Sequence, residues 1–131
     1  MPRFSKKSLS KLETCDKRIQ DLFLRVVKKF DCTIIEGHRS KDRQNKLFKE
    51  GKSKLKYPKG KHNAIPSKAV DVAPYPIDWN DRERFTYFAG YVLGIAYEMG
   101  LKIRWGGDWD MDTQVKDNNF DDLPHFEIRD A

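Results

Sequence analysis

Near the start of the chain Leu9, Leu12, Ile19, Leu22, Phe23, Val26, Val27 and Phe30 recur at three- and four-residue spacing, with charged residues between them. That period gives one apolar stripe on a helix, so residues 5–30 are expected to be helical and to pack on a core, and Ser10 followed by Glu13 makes a capping-box pattern. "CTIIEGHRS" changes the period. A β-branched run that stops at Gly37 predicts a short strand, after which Ser40 can cap a helix through Leu47 and Phe48 ending at Gly51. The Lys, Gly, Pro and Ser of residues 52–67 predict a loop that carries His62 and leads into the strand "KAVDVA". Asn80 or Asp81 can cap the next helix, with Phe85, Phe88, Ala89, Val92, Leu93, Ala96 and Met99 on one face and Gly100 as its stop. "LKIRWGG" reads as a strand, "DWDMDTQVKDNNFDD" as a polar loop, and "HFEI", starting at His125, as a closing strand. Together these elements predict an α+β domain with a small, mostly antiparallel sheet flanked by helices.

The 131 residues suit one domain, and the apolar 38% is grouped into periodic segments rather than thinned out as in a disordered chain. A formal charge of +6 and a pI near 9.3 favour a polyanionic partner: nucleic acid, an anionic membrane or a negatively charged cell envelope. The basic N-terminus has no apolar stretch behind it, and no later segment approaches the roughly 18 apolar residues of a spanning helix. Neither a signal peptide nor a transmembrane segment is expected, so synthesis ends in the cytoplasm. Cys15 and Cys32 lack C-x-x-C spacing and read as small buried hydrophobes.

Candidate chemistry gathers on three histidines, His38, His62 and His125, each at a strand end or in the adjoining loop. A lone histidine is usually structural, but Asp71 stands in the middle of an apolar strand, where an unpaired carboxylate costs several kcal/mol and calls for a cation, a cluster of donors or a metal. Two histidines and one carboxylate form a ligand set typical of catalytic zinc. Asp122, three residues before His125, can set a general base beside such a metal, although Asp121 and Asp122 also suit a solvated turn. His38 is the alternative third ligand, disfavoured because strand alternation puts it on the face opposite Arg39. Trp105 and Trp109 can wall a groove or serve as core and rim aromatics. Asp108 is a candidate substrate or supporting contact, and Asp78 and Asp81 read as helix-start carboxylates.

The order "EGHRS", then "GK" followed by His62, then "AVDVAPYPIDW", then Asp-x-x-His-x-Glu resembles the zinc peptidoglycan peptidases of the VanY-type D-alanyl-D-alanine carboxypeptidase group. Within that group it looks most like phage endolysins that are L-alanyl-D-glutamate endopeptidases, which share the wider lysostaphin, D-Ala-D-Ala carboxypeptidase and hedgehog fold. The similarity runs from Thr33 to Ile128, the expected catalytic core. It implies that His62, Asp71 and His125 bind Zn2+, that Asp122 is the acid/base carboxylate, and that Arg39 steadies the substrate carbonyl. Glu127, two residues past His125, faces the same side of its strand and is a candidate orienter of that histidine. One departure stands out: eight residues separate His62 from Asp71, two more than the common family pattern, which an insertion around "IPS" explains.

The substrate so implied is the peptidoglycan stem peptide, cut at L-Ala-D-Glu or, alternatively, at D-Ala-D-Ala. The lysines of "KEGKSKLKYPKGK" can hold a monomeric enzyme on the anionic envelope, with no nucleic acid required. A cytoplasmic wall hydrolase would reach its substrate through a holin-type membrane lesion. The rivals are a basic metal-dependent nuclease and a nucleic-acid-binding module; against the nuclease, the carboxylates are not clustered as a magnesium site needs.

Overall fold

The computed structural model describes residues 2–114 and 122–129. Its helices are α1 (Lys6–Leu12), α2 (Lys17–Val26), α3 (Lys41–Lys49) and α4 (Arg82–Glu98), and its strands are β1 (Cys32–Glu36), β2 (Ala69–Pro74), β3 (Ile103–Trp105) and β4 (His125–Ile128). A 3₁₀ turn, Lys61–Asn63, lies in the loop before β2. The strands form one antiparallel sheet in the order β1-β2-β4-β3, so the expected α+β architecture is borne out.

Strand alternation gives this sheet two unlike faces. Ile34, Val70, Val72, Ile103, Trp105, Phe126 and Ile128 are buried on one face, where they join Leu22, Phe23 and Val26 of α2 and Phe88, Ala89 and Val92 of α4 in a single apolar cluster. Phe126 meets Phe23 edge-on, with ring centroids 5.6 Å apart. Burying each such side chain contributes about 1.5–3 kcal/mol, which fixes the register as well as the fold. The opposite face carries Asp71, His125, Glu127 and Arg104, since Asp71 pairs with His125 and Arg104 with Glu127 across the ladder.

The first helical segment is two helices, not one. Ser5 caps α1 by accepting from the Ser8 N–H and Asp16 caps α2 by accepting from the Arg18 N–H, whereas Ser10 lies inside α1 and bonds back to the Lys7 carbonyl. The break is filled by the loop between the turn and β2. Ser67 donates its N–H to Thr14 O at 2.9 Å and accepts from Asp16 N at 2.8 Å, making a short parallel bridge beside Cys15. In the same loop Ile65 is exposed, and the chain returns at Ser67 to dock between α1 and α2. Elsewhere Ser40 caps α3, Asp81 caps α4, and Gly51 and Gly100 follow the helix ends with positive φ, as expected.

Candidate metal centre

β1 would carry its side chains to the wrong faces were it regular. Cys32 and Ile34 face the core, so strict alternation would send Glu36 there as well. A bulge at Ile35 breaks the register, and Glu36 instead pairs with Asp71 on the polar face. Three neighbouring strands therefore set Glu36, Asp71 and His125 side by side.

His62 reaches this row from the 3₁₀ turn, which is tied to the end of β1 by Arg39 N–H to His62 O at 2.8 Å and by the Asn63 amide to Arg39 O at 3.0 Å. The His62 ring Nδ1 bonds Gly37 O at 2.7 Å, which leaves Nε2 facing Asp71 Oδ1 at 3.2 Å. Gly37 lets the end of β1 lie against the end of α1: a Cβ there would lie 2.4 Å from both Lys11 O and Thr14 Oγ1. His125 is oriented in the opposite sense. Its Nε2 meets Glu127 Oε1 at 2.8 Å, and its Nδ1 faces Asp71 Oδ1 at 3.4 Å. Each ring thus has one nitrogen occupied by a fixed acceptor and the other turned to the same carboxylate, the arrangement that fixes the tautomer of a metal-binding imidazole.

His62, Asp71 and His125 offer ligand atoms that all lie within 4.8 Å of one another. The set fits zinc: two imidazole nitrogens and one carboxylate oxygen, mostly buried, with an open side towards a cavity. His38 does not join it; its backbone N–H is held by Thr14 Oγ1 and its ring lies outside the group. Asp108, Asp110 and Asp112 also bring carboxylate oxygens together, but two of the three are exposed and none is an imidazole, so the group does not suit zinc.

Electrostatics follow the packing. Burial pushes the Asp71 carboxyl up, but the facing His62 and His125 rings outweigh it and hold the group far below the ordinary carboxylate range. Burial alone would lower His125; its hydrogen bonds to Asp71 and Glu127 instead raise it to about 9. Glu127 is likewise pushed up by burial and pulled down further by His125, Arg104 and Lys61, to about 2. Arg104 Nη2 lies 2.8 Å and Lys61 Nζ 3.4 Å from Glu127 Oε2. Asp122 stands with Oδ2 3.8 Å from His125 Nδ1, and burial, then the nearby Asp71 charge, raises its carboxyl above the ordinary range.

Asp122 is placed by backbone, not by a strand. Its N–H donates to Gly106 O at 2.8 Å, its carbonyl accepts from His125 N at 3.0 Å, and a Cβ on Gly106 would overlap that carbonyl. Asp121 lies outside the described residues. Arg39 is locked over Asp71, with Nη2 2.7 Å from Glu36 Oε1 and 3.4 Å from Asp71 Oδ2, and Nη1 3.1 Å from Gln44 Oε1. A cavity of about 790 Å³ opens over the whole row, walled by Trp109 and Trp79. Trp109 packs 5.3 Å from the His125 ring and beneath the Arg104 guanidinium. Trp105 is in the core instead, donating its indole N–H to Leu123 O. Asp108 turns to its own loop, accepting from the Asp112 and Thr113 N–H groups.

A family model described as phage L-alanyl-D-glutamate peptidase matches residues 1–129. The chain belongs to the phage L-alanyl-D-glutamate peptidase family. A relative from Escherichia phage T5, an L-alanyl-D-glutamate peptidase, is 33% identical over 129 residues, covering 91% of this chain and 93% of the relative. The crystal structure of the Serratia marcescens L-Ala D-Glu endopeptidase ChiX shares the fold, with a TM-score of 0.76 over 98% of this chain and 91% of that one at 23% identity. The chain is accordingly a peptidoglycan-cleaving hydrolase by family.

In this peptidase two residues of the site carried no sequence signal. Gln44, fully buried, joins Arg39 to the loop at Ser53 and Leu55. Glu36 holds Arg39 and Arg43 at once. Gln44 reads as a surface residue of a polar helix until the loop covers it, and Glu36 lies in "EGHRS" with no role assigned to it there.

Proposed function

We propose that this peptidase is a zinc enzyme that hydrolyses the L-alanyl-D-glutamate bond of the peptidoglycan stem peptide. The observation that carries the reading is the convergence of His62 Nε2, His125 Nδ1 and the Asp71 carboxylate on one point at the floor of the cavity. Zinc held there by these three residues would supply Lewis-acid polarisation of water and of the scissile carbonyl. Asp122, beside His125 with a raised carboxyl pKa, is the group to take a proton from the attacking water and pass it to the departing amine. Arg39, fixed by Glu36 and Gln44 and with its buried Nε free of any partner among the described residues, is set to steady negative charge on the carbonyl oxygen. Glu127 orients His125, and Trp109 and Trp79 wall the groove for the peptide. The bond assignment draws on the family and on the phage T5 relative. Among the described residues no helix is long and apolar enough to cross a membrane.

The test uses purified sacculi incubated with zinc-loaded and with chelator-treated protein, the released termini being identified by mass spectrometry. New D-glutamate amino termini that vanish with chelator are the expected result. Free D-alanine would assign a D-alanyl-D-alanine carboxypeptidase instead, and no new termini with zinc bound would reject the hydrolytic reading.

A further inference from the structure

The geometry points to Arg43 as a specificity residue: its guanidinium takes the free carboxylate of the residue on the leaving side of the cleaved bond, so that acidic stem peptides are preferred over amidated ones. This rests on the L-alanyl-D-glutamate reading above. A glutamate whose amino group is released by the cut has two carboxyl groups, and only one of them can continue the chain. The other lies a few bonds from the scissile nitrogen, ionised unless it is capped as an amide.

The flank of Asp71 nearest β1 and α3 is built to receive such a charge. Two guanidinium groups, Arg39 and Arg43, face one carboxylate, Glu36, at 2.7 Å and 3.3 Å. Arg39 is also committed to Gln44 and Asp71. Asp71 in turn is shared with both histidines, so once it serves a cation Glu36 is the carboxylate left in ion-pair contact with the two guanidinium groups among the described residues. Arg43 makes its single side-chain contact through Nε, and among the described residues its two terminal nitrogens have no partner. Its side chain is 52% exposed and lines the same cavity as His62, Asp71, Asp122 and His125. Its backbone is fixed in the first turn of α3, where its N–H donates to the capping Ser40 Oγ at 3.2 Å. A planar fork held at its root with both tips open to the cleft is the form of a bidentate carboxylate receptor. On the other flank Lys61 and Arg104 are already occupied by Glu127.

The test compares two soluble stem peptides that differ only in whether this carboxylate is free or a primary amide, cleaved by the zinc-loaded wild type, Arg43→Gln and Arg43→Lys. The wild type is expected to favour the acid about tenfold or more in kcat/KM, the size of one charge-assisted hydrogen bond. Arg43→Gln should raise KM for the acid with kcat little changed and cleave the amide as the wild type does, and Arg43→Lys should recover part of the preference. Calorimetry with the amino-terminal D-glutamyl product peptide, acid against amide, should show the same difference in affinity. Equal wild-type rates on acid and amide, an unchanged preference in Arg43→Gln, or an equal loss on both peptides in a variant that melts like the wild type would each overturn the assignment. Failure of the wild type to cut either peptide between L-Ala and D-Glu would instead reject the reading on which it rests.

Discussion

Asp122 and Glu127 are both carboxylates beside His125, and their surroundings set them to opposite tasks. Glu127 is held ionised by His125, Arg104 and Lys61, whereas burial and the Asp71 charge raise Asp122 above the ordinary carboxylate range, the direction a proton carrier needs under the proposed mechanism. Asp122→Asn should therefore lower kcat by about 10²–10⁴-fold while the protein still binds zinc, read from steady-state kinetics beside metal content. Glu127→Gln should act on the metal instead, weakening zinc affinity by about 10–100-fold in a competitive chelator titration, because the His125 ring loses the partner that fixes its tautomer. The cysteines are inert for a different reason. Burial pushes the Cys15 thiol up to about 11 and Cys32 up to about 12 from the ordinary 9.0. A thiol raised on folding contributes stability that is complete below the unfolded pKa and is lost as pH rises through the folded one, here between about pH 9 and 12. At pH 8 both thiols should react with a thiol reagent at the rate of global unfolding and no faster.

At the scale of elements, the centre depends on one bulge and two close approaches. The Ile35 bulge turns Glu36 from the core face to the face of Asp71, and Gly37, one residue on, lets the end of β1 lie against α1 while its carbonyl holds His62. Gly37→Ala would force a methyl group against Lys11 O and Thr14 Oγ1. Overpacking of this kind costs about 1–3 kcal/mol, so denaturant unfolding should show a lower midpoint, and zinc affinity should fall with it because the His62 ring is displaced. The break between α1 and α2 belongs to the same assembly, since Ser67 fills it and so fixes the start of β2 on which Asp71 stands.

At the scale of the whole molecule, the charge of +6 is expected to act on encounter more than on chemistry. The wall is a polyanion, and screening shortens the reach of the field to about 10 Å at 0.1 M salt. Raising ionic strength from low to physiological should slow solubilisation of intact sacculi several-fold while changing the cleavage of a short soluble peptide less, measured side by side by turbidity and by chromatography. Equal salt dependence on the two substrates would remove the charge from wall binding and confine it to the cleft.

The sequence by itself determined the strands, the caps of α3 and α4 and the α+β class, because period, capping residues and glycine stops are local signals that the core reinforces. It also brought forward His62, Asp71, His125, Asp122 and Arg39, through an aspartate that an apolar strand could not leave unpaired and through motifs resembling a known family. Only the tertiary structure decided what lies next to what. The helix break at residues 13–16 was invisible because its cause, the Ser67 bridge, comes from a loop some fifty residues away. The bulge at Ile35 shifts a face without leaving a mark in composition. Gln44 and Glu36 acquire their place from distant partners, Trp105 and Trp109 part company between core and cleft, and Asp108 is spent on its own loop. Local chemistry names the residues able to act; register and long-range packing choose which of them meet.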